Sequence, residues 1–115
     1  MKTDRDFAPA TPSETRDYAF DFVYDVASGE TLASATFTLE VDDTESGATI
    51  DSDPSSRLVG SASVDTSDIS GAATVASQRL QQLVAGNRYR VICRATTSRG
   101  QILELYAHLW CRAAD

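Results

Sequence analysis

One histidine, two cysteines, one tryptophan and one methionine are all that 115 residues offer of those side chains. With a single histidine, any histidine-based triad or metal site has to use His108. It sits between Tyr106 and Trp110 in an alternating stretch, with no cysteine or carboxylate nearby at metal-ligand spacing. Asp51-Ser52-Asp53 and Asp65-Thr66-Ser67-Asp68 hold oxygens that suit calcium, yet neither has the spacing of a calcium loop, and both read as solvated turns. No phosphate loop, dinucleotide fingerprint or nucleophile elbow occurs. The sequence therefore predicts no catalytic residue, no cofactor and no metal.

Other absences bound the setting. No apolar run approaches 18 residues, so no transmembrane helix is expected. Met1–Asp6 lacks the apolar stretch of a secretory signal, which predicts first folding in a reducing cytoplasm. The net charge of −7 argues against a nucleic-acid binder, because phosphate contacts need a basic footprint. That charge is unevenly spread. Residues 1–70 carry 15 acidic and 4 basic side chains, a net of −11, and residues 71–115 carry 2 and 6, a net of +4. Such polarity suits head-to-tail contact between copies if the two parts end on different surfaces.

What is present is alternation. Residues 1–16 are polar, with Pro9, Pro12 and Phe7, and read as an extended arm, either loose or anchored through Phe7 on a neighbouring subunit. From residue 17 to 115 the chain reads as one antiparallel β-sandwich. Tyr18, Phe20, Phe22, Tyr24 and Val26 alternate with polar residues, predicting a strand over 18–26. After the turn Ser28-Gly29-Glu30, Thr31–Val41 predicts a second, with Ala33, Ala35, Phe37, Leu39 and Val41 inward. Ala48–Asp51, Arg57–Val64 and Ala72–Leu80 are shorter candidates, and Gln78–Val84 also suits a helical turn. Arg88–Thr97 and Ile102–Cys111 form a hairpin about Ser98-Arg99-Gly100. Short strands with regularly spaced turns indicate an all-β sandwich.

The hairpin fixes the cysteines. A turn near Arg99 sets Cys93 opposite Leu105, leaving Cys111 about six residues along the ladder, roughly 20 Å away. A disulfide needs Cα atoms within about 7 Å, so the pair should not bridge within one chain. Cys93 is expected in the core. Cys111 is expected as a free thiol, or else as one half of an intermolecular disulfide.

Leu83, Gly86 and Tyr89 share a spacing of three. They resemble the corner before the penultimate strand of fibronectin type III domains, where a Tyr hydroxyl bonds back to the turn. A wider pattern runs through Asp17–Asp21, Gly29–Phe37, Thr49–Ser52, Gly86–Val91 and Arg94–Gly100. It resembles the small immunoglobulin-like structural proteins of tailed bacteriophages, in particular their fibre–tail adaptors. The resemblance implies a non-enzymatic virion protein, made in the bacterial cytoplasm. It would join tail, neck or fibre components as a symmetric homo-oligomer, without nucleic acid or membrane. Alternative readings are a capsid decoration protein and a carbohydrate-binding module of the host-recognition apparatus.

The expected interface is the outer face of the final hairpin. Ile102, Glu104, Tyr106, His108 and Trp110 point one way there, with Arg90, Ile92 and Arg94 alongside. Exposed, such a strip has the composition of a binding hot spot. The competing expectation is that the face packs under Asp53–Leu80.

Overall fold

The structure, a computed structural model, describes residues 6–113. Six strands run in chain order: β1 Thr15–Asp21, β2 Leu32–Thr44, β3 Leu58–Asp65, β4 Val75–Gln81, β5 Asn87–Thr97 and β6 Ile102–Trp110. They form two three-stranded antiparallel sheets, ordered β1-β4-β3 and β2-β5-β6. Alternate residues of both sheets turn inward, which is what the period-two pattern encodes. Tyr18, Phe20, Ala76 and Leu80 from one sheet meet Phe37, Leu39, Tyr89, Val91, Cys93, Leu105, Ala107 and Leu109 from the other.

The first predicted strand is shifted toward the N-terminus. β1 opens at Thr15, within the stretch read as an arm, and closes at Asp21. Phe22 is still buried, but its carbonyl accepts the N–H groups of Asp25 and Val26, and the Asp21 carboxylate accepts that of Val23. These bonds turn the chain before Tyr24, which is left 83% exposed. A local Asx turn thus overrides the alternation.

Three further departures from the expected pattern have local causes. A register shift between Leu32 and Ser34 buries Leu32 and leaves Ala33 exposed, since one extra residue reverses the faces. Ala48–Asp51 forms no strand and runs as loop into a short 3₁₀ turn, Pro54–Arg57. Gln78–Val84 contains no helical turn: β4 continues to Gln81 and ends where Gln82 takes φ +55°.

The hairpin register is as the turn implied, with Cys93 opposite Leu105. Both cysteines are free and buried. Residues 6–10 lie on the chain's own β6, as a short parallel pairing. Phe7 N–H donates to the His108 carbonyl (3.1 Å), Ala10 N–H to that of Trp110 (2.9 Å), and Arg112 N–H to that of Ala10 (2.9 Å). Phe7 packs edge-on against Tyr18 and Phe20, 4.9 and 5.5 Å between ring centroids. The arm therefore covers the β6 edge and the mouth of the core beside it, the usual protection for an unpaired edge. Cys111 lies beneath it, fully buried, and burial pushes its thiol up to about 11. In this conformation an intermolecular disulfide at Cys111 requires the arm to lift first.

Candidate protein interface

The outer face of β2-β5-β6 is built row by row from strand register. Glu40, Arg90 and His108 share one row, Thr38, Ile92 and Tyr106 the next, and Thr36, Arg94 and Glu104 the third. Trp110 sits opposite Arg88 at one end and Ile102 opposite Thr96 at the other. The segment expected to cover this face does not do so: β3 and β4 belong to the opposite sheet. Among the described residues the face is open, with a shallow depression lined by Thr36, Thr38, Glu40, Ile92, Arg94 and Glu104.

Aromatic and guanidinium groups interleave along the strip. Arg88 and Arg112 stack on Trp110, at 5.8 and 4.8 Å from its ring centroid, and Arg90 stacks on Tyr106 at 5.2 Å. Tyr106 meets His108 edge-on at 5.9 Å. Each contact holds a large side chain in place while leaving part of it at the surface. The site residues expected from sequence on this face, namely Arg90, Ile92, Arg94, Tyr106, His108 and Trp110, are therefore brought together. Phe7 is not among them: it belongs to the arm and packs half-buried against the core.

What sequence reasoning missed is Asp42. Its carboxylate accepts from Arg88 Nε at 2.8 Å, lies 3.7 Å from Arg90, and sits 2.7 Å from His108 Nε2. The His108 contact is off the angle of a hydrogen bond, so it counts as an ion pair only when the ring is protonated. Asp6 of the arm reaches the same histidine, accepting its backbone N–H at 3.0 Å. A register shift between Val41 and Asp43 turns Asp42 toward the arginines, and strict alternation gives no sign of it.

The same geometry brings the acidic and basic parts of the chain together. Antiparallel pairing lays acidic β2 beside basic β5, and Arg112 pairs with Glu45 (3.0 Å) as Arg79 pairs with Asp17 (2.9 Å). Arg79, Arg88, Arg90 and Arg112 of the basic part thus pair with Asp17, Asp42 and Glu45 of the acidic part, and the excess of acidic groups leaves the chain at −7.

At the end of the domain where β5 begins, the predicted corner is in place. Tyr89 Oη accepts the Val84 N–H (2.9 Å) and donates to Asp51 (2.7 Å). Asp51 also receives two bonds from Arg57, each 3.0 Å, and the Asp53 N–H. It is buried, which corrects its reading as part of a solvated turn. Burial pushes its carboxyl up, but the Arg57 and Tyr89 bonds outweigh that and hold it below the usual aspartate range. Asn87 ties the same loop down, accepting the Asp51 N–H and donating to the Thr49 and Val84 carbonyls. This is a structural lock, with no open position for a substrate.

A family model for the podophage GP4 fibre–tail adaptor protein gp77 matches residues 11–109. The chain belongs to that family. It is a virion structural adaptor and not an enzyme. Membership favours the adaptor reading over capsid decoration or carbohydrate binding, and it implies contacts with fibre and tail proteins. No individual curated protein shows a significant match to the chain.

Proposed function

We propose that this adaptor engages one of its virion partners through the outer face of β2-β5-β6. Tyr106 and Trp110 serve as anchors, Arg90, Arg94 and Ile92 flank them, and His108 sits between. The observation that carries the reading is the open strip of aromatic rings stacked with guanidinium groups. Tyr, Trp and Arg dominate binding energy where they occur together, Tyr and Trp because they bury large areas with few torsions to freeze and Arg through its planar set of donors. Charges already paired within the face need less rearrangement on docking.

The sandwich itself is read as immunoglobulin-like. Its strand orders β1-β4-β3 and β2-β5-β6 correspond to B-E-D and C-F-G of a constant-type domain, and the tyrosine corner precedes β5 as it precedes F. Several copies would be arranged symmetrically, as expected of a part that joins other symmetric components. The test is Tyr106→Ala combined with Trp110→Ala, introduced into the phage. Particles should lose the adaptor, or the component attached to it, while the purified variant unfolds cooperatively near the parent temperature. Normal particles would refute the reading.

A further inference from the structure

An adaptor needs a second docking surface, and the opposite pole of the sandwich carries unexplained apolar residues. Of the four large hydrophobic side chains strongly exposed among the described residues, three lie at the end where β1, β3 and β5 finish. Tyr24 (83% exposed) stands on the β1–β2 loop, Ile69 (62%) on the β3–β4 loop, and Ile102 (63%) where the β5–β6 turn ends.

These loops are fastened together. Phe22 N–H donates to the Thr74 carbonyl (2.9 Å), Leu32 N–H to that of Ala73 (2.8 Å), and Ser98 N–H to that of Thr31 (2.7 Å). Thr74 also donates to Asp21 (2.8 Å), and Thr97 to the buried Glu30 (2.6 Å). The loop end is thus a preformed platform, and a partner ordering nothing on arrival binds more tightly. Folding does not require its apolar tips, since exposure in the monomer gives them no packing role.

We infer that this loop end is a second docking surface, for a virion protein presenting an apolar patch rimmed by lysine or arginine. The inference rests on the adaptor function of the family. Charge supports the choice of occupant. Asp25 and Asp68 flank the apolar tips against the single Arg99, whereas the arginines of the outer face sit beside carboxylates of their own chain. A basic rim meets these two carboxylates and raises the rate and selectivity of docking.

The test compares three phages: a triple variant Tyr24→Ser, Ile69→Ser, Ile102→Ser; the outer-face double variant; and a deletion of the adaptor. The expected result is that the triple variant melts with the parent and binds purified fibre or tail protein roughly 100-fold more weakly. The outer-face variant should lose the other component, and Asp25→Asn with Asp68→Asn should flatten the salt dependence of the affected contact. Because Ile102 also borders the outer face, Ile69→Lys alone, which leaves that face untouched, gives the same comparison and serves equally if the triple variant folds poorly. Particles of the triple variant with a full set of fibres and tails would overturn the inference. So would self-association of the parent that the triple variant abolishes, because the occupant would then be a second copy. Fibres still attached after deletion would instead defeat the adaptor reading itself, independently of either surface.

Discussion

At the corner, Tyr89, Asp51 and Arg57 form a chain of hydrogen bonds largely closed to water, whereas on the outer face Tyr106, Asp42 and Arg90 lie side by side near the surface. The residue types are the same and the consequences differ. In the corner, the Asp51 carboxylate and the Tyr89 hydroxyl depend on their neighbours, because both residues are buried. On the outer face, Tyr106 and Trp110 are half-exposed, so truncating them costs the fold little and a docked protein much.

The largest expected effect comes from breaking the corner. Asp51→Ala leaves the Tyr89 hydroxyl and the Arg57 guanidinium without their acceptor and should cost about 3 kcal/mol of stability in denaturant unfolding. Gly86→Ala follows, at about 2 kcal/mol. Gly86 has φ +86°, and an added Cβ would overlap that of Ala48. A loss below ~0.5 kcal/mol in either variant would show that the corner does not hold the domain together.

Acid should attack the same place. The folded carboxyl of Asp51 lies below its unfolded value, so its contribution is complete above the ordinary aspartate range. As pH falls from about 4 toward the folded value, the unfolded chain takes up the proton first and stability declines. The parent should lose stability over that window, and Asp51→Asn should show a shallower decline.

The outer face sharpens the contrast from the other side. Trp110→Ala should lower stability by no more than about 1 kcal/mol, by removing stacking with Arg88 and Arg112. A loss of 3 kcal/mol would make Trp110 a core residue and remove the distinction. The smallest effect should be kinetic. Phe7→Ala weakens the arm over Cys111, so that thiol should react faster with an alkylating reagent while Cys93 stays inert. Burial pushes Cys93 up to about 12, in the centre of the sheet.

Period-two alternation was legible wherever a strand is buried on one face only, which is why β5, β6 and their register could be read in advance. The corner was legible for another reason: a buried tyrosine must satisfy its hydroxyl, and Leu83, Gly86 and Tyr89 set the turn that does so. The Asp51 and Asp42 contacts were not legible. The Tyr89–Asp51 and Arg88–Asp42 bonds each join residues more than 35 positions apart, and both aspartates lie where the chain leaves regular alternation. Tyr24 shows the converse, since alternation placed it in a strand and a side-chain turn at Asp21 removed it.

By itself the sequence determined an all-β sandwich, the cysteine separation and an aromatic, arginine-rich strand face, because these follow from local periodicity and turn chemistry. Tertiary structure alone decided that this face stays open, that the arm seals β6, and that arginines of the basic part pair with carboxylates of the acidic part. Each of those is a matter of which strands become neighbours, and strand pairing brings together residues that no local pattern relates.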